Sequence, residues 1–141
     1  MISRGCRNLI VLCNSGGLKA EFIGTLGNKI YYNKAKVGDV IKVAIKESVP
    51  ESGGNIVKAK KGKVFFALVV ATKAAYRDMF GNYVKFAYNA VILLTKDMKQ
   101  KLIPVGTRVS GCIARGAMID AAVAVNRPAV NKVLSTAKEV F

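Results

Sequence analysis

The chain contains no histidine. With it go the commonest general base at neutral pH and the commonest nitrogen ligand for metals. Its three cysteines, Cys6, Cys13 and Cys112, form an odd, widely separated set without a Cys-x-x-Cys pair. Free thiols in a reducing compartment are expected, and neither a metal site nor another cofactor is. Carboxylates are scarce, 8 against 23 lysines and arginines, and none is paired in sequence for acid–base work, so the chain does not read as an enzyme. The longest apolar run, Val64 to Ala71, falls far short of the ~20 residues of a membrane-spanning helix, and no membrane partner is expected. The opening stretch, with Arg4, Arg7 and then Leu9-Ile10-Val11-Leu12, has the outline of a targeting signal but is too short for one. There is no internal repeat, and Gly24-Thr25-Leu26-Gly27-Asn28-Lys29 lacks the spacing of a nucleotide-binding loop and the Ser or Thr that follows that loop's lysine.

What is present is apolar residues and positive charge. At 141 residues, 52% of them hydrophobic, the chain can bury one core, and a single domain is expected over 1–141. The formal charge of +15 leaves most cations without an internal partner. A polyanion answers that excess, because each phosphate neutralised releases condensed counterions. The plain alternative is a solubilising basic surface.

Most of the chain reads as strands of five to eight residues broken by Gly and charged turns. Ile41, Val43 and Ile45 alternate with Lys42 and Lys46, the period of a half-buried strand with lysine outward. Lys34, Lys36 and Gly38-Asp39 precede it as a basic loop and turn, and Pro50 to Asn55 follows as a breaker. Lys58-Ala59-Lys60-Lys61-Gly62-Lys63 then leads into Val64 to Val70, apolar on both faces and therefore a buried central strand. Those lysines read either as gatekeepers against aggregation or as phosphate contacts; Thr72-Lys73 and Arg77 downstream favour the second. Asp78 to Asn82 leads to Tyr83-Val84-Lys85-Phe86-Ala87-Tyr88, a hairpin in which Val84, Phe86 and Tyr88 share a face. Its aromatics suit base stacking, but such residues more often face a core, so only the cations are claimed. Val91 to Leu94 is a further strand, Lys96 to Lys101 a basic loop, and Pro104 to Val109 another short strand. Beyond Arg115, Pro128 followed by Val130, Val133, Leu134 and Ala137 has helical spacing. The fold class expected is mainly β, a small barrel over about 1–113 with a helical C-terminal region over about 114–141.

These residues resemble the universal large-subunit ribosomal protein family L-fourteen in its bacterial form, over nearly the whole length. Asn14-Ser15-Gly16 is similar to that family's Asp-Asn-Ser-Gly-Ala turn, and Val37 to Glu47 to its most recognisable strand. Lys60-Lys61-Gly62, Thr72-Lys73, Gly81, Lys85-Phe86 and Asn89-Ala90 keep the family's order and spacing. Pro104-Val105-Gly106-Thr107-Arg108-Val109-Ser110-Gly111 resembles Pro-Ile-Gly-Thr-Arg-Ile-Phe-Gly, and Ser135 to Val140 resembles a Ser-Leu-Ala-Pro-Glu-Val ending. There are departures. Cys13 stands where the family has Asp, Ala114-Arg115-Gly116-Ala117 where it has Thr-Arg-Glu-Leu, and Lys138 where it has Pro. Roughly ten extra residues near 116–126 precede the end of the chain.

The resemblance implies a five-stranded antiparallel barrel with a protruding hairpin and short C-terminal helices. It implies a structural role in the large subunit, next to the large-subunit proteins numbered three and nineteen, and a bridge to small-subunit rRNA. A ribosome-silencing factor would dock near the C-terminal region. The departures point to an organellar, mitochondrial ribosome ahead of a bacterial cytoplasm, reached by organelle encoding, a removed presequence or an internal signal. The rRNA contacts expected are Lys34, Lys36, Lys42, Lys46, Lys58, Lys60, Lys61, Lys63, Lys73, Arg77, Lys85, Arg108 and Arg115. Two rivals are kept. A free-standing single-strand-binding barrel would bind short unstructured oligonucleotides tightly, and an enzyme would need Cys13 or Lys42 as an activated nucleophile.

Overall fold

Alternating side chains and glycine-marked turns divide the chain into short strands. A computed structural model describes residues 2–25, 34–50, 57–77, 81–96, 98, 102–106, 109–114 and 137–140. The strands are β1 (Ile2–Ser3), β2 (Leu9–Val11), β3 (Gly17–Thr25), β4 (Lys34–Ala35), β5 (Val40–Ser48) and β6 (Val64–Ala71), then β7 (Tyr76–Arg77), β8 (Tyr83–Val84), β9 (Ala90–Lys96), β10 (Leu102–Pro104), β11 (Val109–Ile113) and β12 (Ala137–Val140). The principal sheet runs β10-β9-β2-β3-β5-β6, and β6 pairs back onto β9. Strands β2, β3, β5, β6 and β9 therefore close into the expected five-stranded barrel. Four seams are antiparallel; the seam of β2 with β9, Ile10 opposite Ala90 and Val11 opposite Val91, is parallel. Parallel neighbours need a long crossover, here supplied by all the chain between β2 and β9.

The register places Leu9, Ala20, Phe22, Ile41, Val43, Ile45, Ala67, Val69, Val91 and Leu93 inside the barrel, all buried. The opposite faces of β6 and β9 are buried as well, at Leu68, Val70, Ile92 and Leu94. This is what the apolar run Val64 to Val70 predicts. The chain around β11 closes over that outer side: Ala114 N donates to Val70 O at 2.9 Å. Tyr88 Oη accepts from Cys112 N at 3.1 Å and donates to Cys112 O at 3.2 Å.

Elsewhere the structure departs from the sequence reading. Leu9–Val11, read within a signal-like stretch, is a barrel strand. Pro104 and Val109 do not share one strand: Pro104 ends β10, Val105 and Gly106 bend away, and Val109 begins β11. The hairpin forms, with Tyr76 opposite Val84 and Arg77 opposite Tyr83, but its second strand stops at Val84. Phe86 N turns to Thr72 O (3.1 Å) and Asn89 Oδ1 accepts from Lys73 N (2.8 Å), replacing ladder bonds. Val84, Phe86 and Tyr88 still share the half-buried side. The helix over Pro128 to Leu134 and the insertion near 116–126 lie outside the described residues. Ala137, the last residue of that helical spacing, opens β12, which runs parallel to β11 with Val109 opposite Ala137 and Ile113 opposite Val140. There the backbone groups along β11 offer hydrogen bonds to an incoming strand.

Candidate nucleic-acid interface

Arg108 and Arg115 lie outside the described residues. Lys34, Lys36, Lys42, Lys46, Lys58, Lys60, Lys61, Lys63, Lys73, Arg77 and Lys85 are all exposed. Because neighbouring strands run in opposite directions, the barrel sorts most of them to its two ends.

At one end stands the loop Lys58 to Lys63, held by its small residues. Ala59 is fully buried and its N–H donates to Ser15 O at 3.1 Å, while Val57 sits against Gly16. The loop then turns through Gly62 at φ 89°, left-handed backbone that glycine adopts without steric cost. Lys63 N bonds Lys60 O (3.2 Å), Gly62 N bonds Ile45 O (2.8 Å), and Ile45 N bonds Lys63 O (2.9 Å). Four lysine side chains thus radiate from a backbone fixed at several points. The C-terminal part of β5, with Lys46, and the end of β9, with Lys96, lie at the same end. So does the turn Cys13 to Gly16. Gly106 packs into this turn so closely that a Cβ there would come 2.6 Å from Asn14 Oδ1.

At the opposite end Lys34 lies on β4 across from Ser3. The Lys36 loop closes on itself: Lys36 N donates to Asp39 Oδ2 at 3.0 Å, and Gly38 N, at φ 91°, donates to Val69 O at 2.8 Å. Lys73 leaves β6 at this end, and Arg77 and Lys85 ride on the hairpin.

Part of the charge on the barrel wall is paired internally. Lys46 Nζ lies 3.0 Å from Glu21 Oε2, Arg7 Nε 3.7 Å from Glu21 Oε1, and Lys19 Nζ 3.7 Å from Glu47 Oε1. The hydrogen bond from Lys46, followed by the charges of Lys46 and Arg7, holds the Glu21 carboxyl below the usual carboxylate range against the opposing effect of desolvation. Lys46 is therefore less free for an outside anion than its exposure suggests. Sequence reasoning passed over Arg4, Arg7, Lys19 and Lys96, all exposed. Arg4 and Arg7 were hidden in the signal-like start, and Lys96 at the edge of a loop.

The aromatics divide. Phe86 and Tyr88 pack with each other, centroids 6.4 Å apart, on the edge of the core. Tyr83, 75% exposed, points away from it. Cys13 is buried with its Sγ 3.2 Å from Ser15 Oγ, a place that serves the turn and not a nucleophile. Among the described residues no group of three His, Cys, Asp or Glu is set to hold a metal ion. The arrangement is a closed barrel with cations at both ends, suited to phosphates spaced across a structured polyanion. The family model described as ribosomal protein L14p/L23e matches residues 1–141, the whole chain.

Proposed function

The chain belongs to the ribosomal protein L14p/L23e family, and from that premise we propose that both cationic ends of the barrel bind rRNA. The family makes it a structural constituent of the large ribosomal subunit that binds rRNA, with rRNA and ribosomal proteins as its partners; the family is not an enzymatic one. The observation that carries the proposal is the Lys58 to Lys63 loop, whose backbone is pinned by Ala59 and Gly62 while its lysines stay exposed. A loop backbone already fixed loses little freedom on meeting a phosphate, and phosphate contacts fix orientation on RNA without reading its sequence.

The contacts are Lys58, Lys60, Lys61 and Lys63 with Lys46 at one end, Lys34, Lys36, Lys73, Arg77 and Lys85 at the other, Lys42 on the wall, and Arg108 and Arg115. The protein acts as a single domain at the subunit interface beside the large-subunit proteins numbered three and nineteen, and it contributes to a bridge with small-subunit rRNA. Its departures from the bacterial pattern, Cys13 and the residues near 116–126 among them, favour a mitochondrial ribosome. A ribosome-silencing factor docks near the C-terminal region if that surface is kept.

Binding of a large-subunit rRNA transcript across a salt series tests the central part. Replacing Lys60, Lys61 and Lys63 together by Ala is expected to lower the slope of log K against log salt by about two to three units, near one per phosphate contact. An unchanged slope removes the loop from the interface. The exposed Tyr83 ring favours one second reading, a single-strand-binding barrel, which requires short unstructured oligonucleotides to bind as tightly as the folded transcript.

A further inference from the structure

The β7–β8 hairpin turns its two faces to different surroundings. From β8 onward exposure alternates: Val84, Phe86 and Tyr88 are half-buried, while Tyr83, Lys85 and Ala87 are exposed. Arg77 lies directly opposite Tyr83 in the ladder, so both side chains rise from the same outer face. The Arg77 guanidinium leans toward the turn, where a Cβ on Gly81 would lie 3.6 Å from one terminal nitrogen and 3.9 Å from Nε. Tyr83 itself stays 75% exposed, and no cation of the described residues sits over its ring.

The other aromatics with described side chains, Phe22, Phe65, Phe66, Phe86 and Tyr88, are buried or half-buried. Tyr83 forgoes the burial that stabilises those rings. Neither Arg77 nor Lys85 has an ion-pair partner among the described residues. The base of the hairpin is fixed to the barrel, since Phe86 N donates to Thr72 O and Lys73 N to Asn89 Oδ1. A lone exposed apolar side chain is ordinary and calls for no partner. A flat ring on an anchored hairpin, with an unpaired cation opposite it and another two residues on, fits a nucleobase with its phosphates. Tyrosine offers that surface at small entropic cost, having only two torsions to fix.

We propose that Tyr83 stacks against one unpaired base of a folded rRNA, while Arg77 and Lys85 bind backbone phosphates beside that base. That the base belongs to rRNA rests on the rRNA-binding reading; the platform rests on the hairpin. A surface for single strands stacks successive bases on several rings. One exposed ring suits instead a base put out of a loop or bulge, the form in which structured RNA offers base faces to aromatic side chains.

The full chain is titrated with a large-subunit rRNA transcript across a salt series, and the complex is then irradiated with ultraviolet light. Stacking releases no counterions, so Tyr83→Leu is expected to weaken binding about tenfold with the slope of log K against log salt unchanged. Tyr83→Phe, which keeps the ring, should recover the affinity. Both variants should keep the parent's urea midpoint, because the side chain is exposed. Arg77→Ala and Lys85→Ala should each lower the salt slope by about one unit. Mass spectrometry of the irradiated complex should find Tyr83 joined to a nucleotide at a single site in the transcript. Tyr83→Leu binding as tightly as the parent overturns the platform, as do crosslinks scattered along the transcript. Tyr83→Phe as weak as Tyr83→Leu also overturns it, by assigning the contact to the hydroxyl. If Tyr83→Leu leaves transcript binding intact but loosens the protein from purified large subunits, a protein and not a base occupies the ring. The rRNA-binding reading is judged separately, on the triple Lys60, Lys61 and Lys63 variant: a lowered slope there beside a silent Tyr83→Leu sinks the platform alone.

Discussion

A methyl group on Gly16 would lie 2.5 Å from Val57 Cγ1, at a backbone φ of 95°. Both the left-handed conformation and the overlap oppose any side chain, and Gly16→Ala is expected to cost about 2–4 kcal/mol. The check is a lower urea midpoint at unchanged slope. Because Val57 leads into the lysine loop, rRNA affinity should fall with it. Glu21 supplies the pH-dependent prediction. Its carboxyl titrates below the ordinary value of 4.5, so its stabilising effect is complete above that value and is lost as pH falls through the lowered one. Glu21→Gln should therefore be less stable than the parent at neutral pH, and the difference should close on acidification in paired denaturation curves. At this scale the exposed cations were the legible part, since lysine and arginine are almost never fully buried without a partner. Which of them were already satisfied was not legible. Lys46 meets Glu21 and Lys42 meets Phe66 through strand register, which local sequence does not contain.

Strand β6 makes the contrast between a buried and an exposed apolar position within one element. Leu68 is fully buried on the side away from the barrel interior, while Val64 is 59% exposed. Leu68→Ala is expected to destabilise by about 2–5 kcal/mol, and Val64→Ala by no more than about 0.5 kcal/mol, in chemical denaturation. Strands such as β5 and β6 were readable because their apolar patterns are long and uninterrupted. The alternation of Lys19, Ala20, Glu21 and Phe22 also marks β3, but its glycines and the register shifts around Lys19 and between Phe22 and Gly24 interrupt the period. With three residues β2 has too little pattern to stand out, and it is a strand because β3 and β9 flank it. The division between β10 and β11 has a tertiary cause as well: Gly106 is drawn against Asn14, and the chain bends where the sequence reads as one short strand from Pro104 to Val109.

Across the whole molecule, closure of the barrel brings remote segments to a common end. Cys13 to Gly16, the Lys58 to Lys63 loop and Pro104 to Gly106 are far apart in the chain, yet they meet through Ala59 N to Ser15 O and through Gly106 against Asn14. Barrel class and surplus charge followed from composition and periodicity. The parallel seam of β2 with β9 and the strand at Ala137–Val140 did not, because each depends on a partner segment distant in sequence. The charge of +15 has the same whole-molecule consequence wherever the individual contacts fall: association with RNA must weaken steeply as salt rises, yet persist within an assembled subunit where many contacts act together. The most direct measurement is sedimentation of a native lysate, and of isolated mitochondria, through a high-salt sucrose gradient, following the protein by mass spectrometry beside large-subunit rRNA. The protein is expected to travel with the large-subunit peak and to be missing from free small subunits, with the mitochondrial fraction enriched. A protein that stays at the top of the gradient as a free 15.1 kDa species at every salt concentration would contradict this expectation.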